Sequence, residues 1–150
     1  MLRPELVRRK LQLIAEDLER LVPFRDESYE SLIGDPLRLA AVERILERIV
    51  MRAIDTNEHI ISELATGAEE RVTRLSYRET FLRLAELGVY SPEFAQRIAR
   101  SAGLRNILVH DYNDVDHRVL FESIPSALQE YQEYVQALDA FLARRGDGSP

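Results

Sequence analysis

The chain has no cysteine, and this absence excludes several kinds of chemistry. Disulfides, thiolate zinc sites, iron–sulfur clusters and a cysteine nucleophile all need a side chain that the sequence lacks. Long hydrophobic runs are also missing, because no segment approaches the ~18 uncharged apolar residues of a membrane span. Charge recurs from Arg3 onwards and leaves no room for the apolar segment of a signal peptide. We therefore expect a cytoplasmic protein that does not cross a membrane.

Positive charge is in the minority, with 20 Lys and Arg residues against 26 Asp and Glu, a formal charge of −6. This balance argues against a protein that coats nucleic acid through its overall field, although a local basic site is still allowed. At 150 residues and 45% hydrophobic, the chain suits one domain with an ordinary core. We assign residues 1–145 to that domain and residues 146–150 to a flexible tail.

Apolar residues that recur every three or four positions predict helices. The first helix is predicted from Pro4 to Val22, and Pro23 ends its pattern. The second, a long one, is predicted from Pro36 to about Gly67, because an Asp-Pro pair supplies an N-cap followed by proline at the first helical position.

Two more helix starts are indicated by capping residues. Ser76 and Glu79 have the spacing of a capping box for a short helix, which Gly88 can end in the left-handed conformation. Ser91 then caps a fourth helix, predicted over residues 92–111.

The last predicted helix carries the longest apolar stripe, which consists of Phe121, Ile124, Leu128, Tyr131, Val135, Leu138 and Leu142. Pro125 lies in its first turn or kinks it, because proline removes a backbone hydrogen bond from a helix interior. No alternating strand pattern of useful length is present. The sequence therefore predicts an all-α antiparallel bundle of four long helices and one short helix.

Reactive side chains gather between residues 105 and 112, where Arg105, Asn106, His110 and Tyr112 lie close in sequence. A surface helix end where polar residues meet by chance is the alternative. A helix advances about 100° per residue, so Asn106 and His110 share one face, while Arg105 and Tyr112 share another. One straight helix cannot aim Arg105 and His110 at a single point, unless arginine's length or a second copy of the helix brings them together.

Small residues precede this segment on the Asn106 and His110 side, and small side chains let another backbone approach closely. They are Ala95, Ala99, Ala102 and Gly103. We therefore expect a tight helix contact with a symmetry-related copy, which makes the protein a homodimer.

The local charge differs from the global one. No acidic residue lies between Glu93 and Asp111, whereas Arg97, Arg100 and Arg105 together give a charge of +3. Phosphate suits such a surface, because a guanidinium presents a fork of donors to its oxygens. Arg97 and Arg100 are therefore candidates for binding substrate phosphate, with a solvated arginine face as the alternative.

The sequence gives little indication of a metal or cofactor site. His59 is expected on a polar helix face and His117 near a helix start. His110, His117 and the acids between them could be read as metal ligands, but acids around a turn are usually capping groups and the spacing matches no known metal signature strongly. No glycine-rich phosphate loop is present. We expect neither a metal nor a cofactor.

The pattern Arg105-Asn106-x-x-x-His110-x-Tyr112 resembles that of the HEPN superfamily, specifically its HepT-like branch. Strings at residues 53–55, 76–79 and 87–89 are also similar to those of that branch, so the resemblance covers nearly the whole chain.

The resemblance implies a metal-independent endoribonuclease that acts as the toxin of a toxin–antitoxin pair. It implies a homodimer whose two motifs line one cleft, and a nucleotidyltransferase antitoxin (MntA-like) that transfers AMP to Tyr112. His110 would then transfer protons and Arg105 would stabilise the phosphorane, while Asn106 would orient the phosphate or hold a histidine tautomer. A non-catalytic helical adaptor, bound and modified by the nucleotidyltransferase, is the alternative.

Overall fold

The computed structural model describes residues 2–64, 75–109 and 114–147, and every regular element in these ranges is a helix. Seven α-helices occur there, with a short 3₁₀ helix, Val22–Phe24, after the first. They are α1 (Pro4–Leu21), α2 (Tyr29–Ile33), α3 (Pro36–Leu64), α4 (Tyr77–Glu86), α5 (Pro92–Ala99), α6 (Ala102–Val109) and α7 (Asp114–Asp147). The predicted all-α class is confirmed. None of these helices is both long and apolar enough to cross a membrane.

The core forms where α1 packs against α3 and α7. The apolar stripe of α1 is buried throughout and consists of Val7, Leu11, Ile14, Leu18 and Leu21. Fully burying one such side chain contributes about 1.5–3 kcal/mol, so this face supplies much of the free energy that holds α1 to its neighbours. The helix ends at Leu21, close to its predicted end, and Pro23 follows within the 3₁₀ helix.

The helix starts inferred from capping residues are confirmed. Asp35 Oδ1 accepts a hydrogen bond from a backbone N–H in the first turn of α3, at 3.3 Å, and Pro36 opens that helix. Before α4, Ser76 Oγ accepts from the Glu79 N–H at 3.1 Å, while Glu79 Oε1 accepts from the Ser76 N–H at 2.9 Å. Gly88 follows α4 with a φ of 84°, the left-handed conformation predicted for it. Local hydrogen bonding thus decides where these helices begin and end.

The single helix predicted over residues 92–111 is wrong, because α5 and α6 are separated by a bend at Arg100 and Ser101. Ser101 Oγ donates to the carbonyl of Ile98 at 2.6 Å and also lies 2.6 Å from the Tyr131 hydroxyl of α7. Because a serine hydroxyl has one proton, Tyr131 is the donor in the second bond. The bend is therefore held by a side chain from a distant part of the sequence.

The small residues expected to meet a second chain lie mostly in this chain's own core, which corrects that prediction. Ala95 and Ala99 of α5 are fully buried, and Ala102 at the start of α6 is 8% exposed. Gly103 is exposed. The strip was predicted on one continuous helix, whereas its members are divided between α5 and α6 and three of the four are buried. It therefore does not supply a dimer interface.

One helix was not predicted, and another extends further than predicted. The helix α2 was missed because five residues are too few for an apolar stripe, although Ser28 Oγ caps it by accepting an N–H at 3.0 Å. The helix α7 keeps Pro125 inside it and continues to Asp147, past residue 145, where the domain was predicted to end. The apolar stripe predicted for α7 is buried or half-buried along its length.

Candidate functional site

Arg105 lies in the first turn of α6, with a half-buried side chain. Its guanidinium carbon is 5.0 Å from the centroid of the Tyr77 ring at the start of α4. A cation within about 6 Å of an aromatic centroid is attracted by the negative face of the ring. Arg105 Nε is buried and has no hydrogen-bond partner in the described part of the chain. Arg105 is thus placed by the face of a ring contributed by a different helix.

A buried hydrogen-bond network holds the first turn of α4, where Tyr77 lies. Thr80 Oγ1 donates to the Tyr77 carbonyl at 2.7 Å and accepts from Asn57 Nδ2 of α3 at 3.2 Å. Asn57 Oδ1 in turn accepts from the Tyr134 hydroxyl of α7 at 2.6 Å. The side chains of Thr80, Asn57 and Tyr134 are completely buried. Three helices therefore fix the position of Tyr77.

The sequence analysis missed this network, although one signal was present. Asn57 falls on the apolar stripe of α3, one turn after Ala53 and three residues before Ile60, both of which are fully buried. A polar side chain on a buried stripe needs a hydrogen-bond partner, because burying it without one costs free energy. Burial also raises the pKa of Tyr134, which keeps its phenol protonated as a donor to Asn57.

The predicted basic patch is partly neutralised by α7. Arg97 Nη2 lies 3.7 Å from Glu133 Oε1, in a pair whose side chains are 45% and 43% exposed. Because both side chains are so exposed, this ion pair contributes only about 0–1 kcal/mol to stability. Arg97 is therefore readily available to another anion. Burial raises the pKa of Glu130, against the opposing effect of Arg100 and then Arg97. The charge of +3 counted along the sequence therefore overstates the local field.

Two clefts flank the bend between α5 and α6. A cleft of about 320 Å³ opens toward α7 and is lined by Arg97, Arg100, Leu104, Val119, Ser123 and Glu130, among others. A second, of about 430 Å³, opens toward α4 and includes Tyr77, Arg78 and Arg100. Arg100 and Gly103 line both clefts. Arginine side chains thus border both sides of the bend immediately before Arg105.

Part of the predicted site lies outside the described residues. Asn106 follows Arg105 in α6, but its side chain is not among those described, and His110 and Tyr112 lie outside the described ranges altogether. The described residues contain no group of three or more His, Asp or Glu that could hold a metal. The roles assigned to Asn106, His110 and Tyr112 stay predictions.

Neither of the other two histidines is among the residues that line these two clefts. His59 lines a separate cleft with Arg3, Leu6 and Glu63. Burial, followed by the positive charge of Arg3, lowers the pKa of His59. His117 is half-buried in the first turns of α7, and its charge partly offsets the burial that raises the pKa of Glu43 on α3.

Comparison with known proteins identifies the family. The sequence profile described as "Ribonuclease HepT-like" matches residues 11–138, which is most of the chain. The chain belongs to the HepT-like ribonuclease family. It is 36% identical over 141 residues to a protein named tRNA nuclease HepT from Aphanizomenon flos-aquae, covering 93% of this chain and 91% of that one. The resemblance of this chain to the HepT-like branch is thereby confirmed.

More distant relatives and solved structures agree with this HepT-like fold. A protein named mRNA nuclease HepT from Shewanella oneidensis is 24% identical over 95 residues, which are 63% of this chain and 68% of that one. A crystal structure described as a toxin–antitoxin with AMP-PNP superposes with a TM-score of 0.75 at 19% identity, covering 91% of this chain and 98% of that chain. A tri-AMPylated Shewanella oneidensis HEPN toxin in complex with MNT antitoxin gives 0.73 at 21% identity, covering 93% and 99%.

Proposed function

We propose that this HepT-like chain is a metal-independent endoribonuclease, the toxin of a toxin–antitoxin pair. The observation that carries the proposal is the position of Arg105, whose guanidinium is held on an aromatic face beside clefts bordered by other arginines. A guanidinium keeps its positive charge at every physiological pH, so it can stabilise negative phosphoryl oxygens without itself titrating. Membership of a ribonuclease family supplies the class of substrate.

The cleavage step needs one proton removed and one proton supplied. The ribose 2′-hydroxyl loses its proton, its oxygen forms a bond to phosphorus, and the bond from phosphorus to the 5′-oxygen breaks as that oxygen gains a proton. His110 transfers these protons, because an unperturbed imidazole pKa of about 6.5 suits both directions near neutral pH. Arg105 stabilises the phosphorane, and Asn106 orients the phosphate or holds a tautomer of His110. Arg97 and Arg100 bind flanking phosphates.

Two chains share the cleft in this proposal. The second chain supplies His110 opposite Arg105, which removes the difficulty of aiming both side chains from one chain. The buried alanines of α5 exclude the small-residue strip as the contact. In this proposal the dimer surface includes the 41% exposed Val119, which borders the cleft toward α7 together with Gly103, the one member of the strip that is exposed.

Cleavage of tRNA in excess EDTA tests the nuclease assignment, and tRNA is the first choice because the 36% identical relative is named a tRNA nuclease. We expect cleavage to persist, with products that carry 2′,3′-cyclic phosphate and 5′-hydroxyl ends, because no metal takes part. End labelling distinguishes these products from 5′-phosphates. Arg105→Ala protein purified in parallel controls for contaminating nucleases. Cleavage that stops in EDTA and returns with Mg²⁺ would contradict the mechanism.

Tyr112 is the proposed target of the antitoxin. AMP attached to its phenol would add a negative phosphodiester and the bulk of a nucleotide two residues from His110, which blocks RNA by charge and by volume. Co-expression with a cognate MntA-like nucleotidyltransferase is expected to add multiples of the AMP mass to the wild-type chain and none to Tyr112→Phe. Intact-mass spectra measure the adducts. Adducts that persist in Tyr112→Phe would place the modification elsewhere.

A further inference from the structure

We propose that Tyr77 is a positioning residue, which holds the Arg105 guanidinium by its face so that the N–H donors in the guanidinium plane stay available for RNA phosphate. This inference rests on the proposed function, because it assigns Arg105 to substrate. The ring centroid and the guanidinium carbon are 5.0 Å apart, within the range of an attractive cation–π contact.

The way in which Arg105 is held differs from that of three other arginines that lie on aromatic rings. Arg38, Arg97 and Arg118 also lie over rings, but each pairs with a carboxylate as well, at 2.6, 3.7 and 3.6 Å. A carboxylate occupies N–H donors and cancels the charge. Within the described residues, no carboxylate forms an ion pair with Arg105, and its buried Nε has no acceptor. A ring face fixes the cation without consuming either its charge or its in-plane donors.

Tyr77 is itself held more firmly than its half-buried position suggests. The capping box fixes the backbone just before it, and the buried network of Thr80, Asn57 and Tyr134 fixes its carbonyl. A side chain that positions a reactive group must be locked by its own surroundings, since a misplacement of about 1 Å can cost about 10²-fold in rate. The interior of three helices thereby sets where the Arg105 charge lies.

The test compares Tyr77→Phe with Tyr77→Leu. Phenylalanine keeps the ring face and is expected to leave kcat/KM for tRNA within about twofold of wild type, whereas leucine is expected to lower it about tenfold, the size of one lost cation–π contact. Phe24→Leu is the matched control, because it removes the ring under Arg38 near the other end of the chain. It is expected to leave cleavage unchanged.

A binding measurement separates this inference from the proposed function. RNA with 2′-O-methyl groups cannot be cleaved by attack of a 2′-hydroxyl, so fluorescence anisotropy with it reports phosphate binding alone. We expect Tyr77→Leu to bind about tenfold more weakly than Tyr77→Phe, and the difference to vanish in an Arg105→Ala background, because Tyr77 acts through Arg105. Wild-type protein that binds RNA with this dependence but never cleaves it would overturn the nuclease proposal alone.

Two results would overturn the positioning role. One is that Tyr77→Leu binds and cleaves RNA as the wild type does. The other is that Tyr77→Leu also weakens RNA binding about tenfold in the Arg105→Ala background, which would mean that Tyr77 acts on folding and not through Arg105. Thermal unfolding of each variant is followed by circular dichroism. If Tyr77→Leu does not fold, Tyr77→Met takes its place, because its flexible side chain fills the same half-buried space.

Discussion

Replacement of His110 by alanine is expected to lower the initial rate of tRNA cleavage by about 10²–10⁴-fold, the usual loss when one general acid–base group is removed. The physical reason is that no other titratable group assigned to the cleft has a pKa near neutrality. Arginine stays protonated, and the unperturbed pKa of tyrosine, about 10, is about 3 units above neutral pH. The measurement is the rate at several pH values, together with urea unfolding of the variant.

The matched control is His59→Ala, which removes the same side chain from a separate cleft. It is expected to keep the wild-type rate. If His110→Ala is inactive because it does not fold, or if it folds and cleaves at the wild-type rate, His110 is not the proton-transfer group.

A mixed dimer extends this experiment to the shared cleft. Arg105→Ala and His110→Ala chains are co-expressed with different tags, and the mixed dimer is isolated by purification on both. A cleft that takes Arg105 from one chain and His110 from the other is intact once in such a dimer, so we expect cleavage to recover. A cleft built within a single chain is damaged in both copies, so a mixed dimer as inactive as its parents would contradict the sharing.

Replacement of Asp17 by alanine is expected to lower the free energy of unfolding by about 3 kcal/mol, the lower end for breaking a buried ion pair. The Asp17 carboxylate is fully buried, with Oδ1 2.8 Å from Arg20 and Oδ2 2.7 Å from Arg52 and 3.3 Å from Arg48. Two of these arginines belong to α3, so the carboxylate ties α1 to α3. The lower end applies because Arg20, Arg48 and Arg52 remain 54%, 34% and 24% exposed.

Urea unfolding of Asp17→Ala measures the loss, with Glu19→Ala as control. Glu19 is an exposed acid on the same helix, so its loss is expected to change the free energy by less than about 0.5 kcal/mol. Asp17→Asn should fall between the two, because an amide still accepts one hydrogen bond. Equal stability of Asp17→Ala and Glu19→Ala would show that the buried carboxylate contributes nothing net.

Features set by local interactions were predictable from the sequence. The capping box of Ser76 and the start at Pro36 depend on residues within one helical turn, and the stripes of α1 and α7 follow from helical spacing. The bend at Ser101 was not predictable, because a hydroxyl 30 residues later holds it. Its consequence for the small-residue strip was therefore missed as well.

The candidate site also has a part that was predictable from one stretch of sequence and a part that depends on packing between distant helices. The motif from Arg105 to Tyr112 is contiguous, and the family it indicates is confirmed by the profile match. Tyr77 lies 28 residues before Arg105, and Glu130 and Glu133 lie far beyond it, so no window of sequence brings them together. The packing of α4 and α7 around α6 is needed to find the ring that holds Arg105. The same packing brings Glu130 and Glu133 close to Arg97, whose positive charge they partly offset.

The buried network of Tyr134, Asn57 and Thr80 also makes three positions epistatic. Asn57 is hydrogen-bonded to both of the other side chains, so removing the hydroxyl of Thr80 or of Tyr134 leaves a buried group of Asn57 unsatisfied, whereas apolar residues of similar shape at all three positions incur no such penalty. Single mutational steps away from this arrangement therefore pass through less stable proteins. We therefore expect these positions, on three different helices, to be substituted together across related sequences.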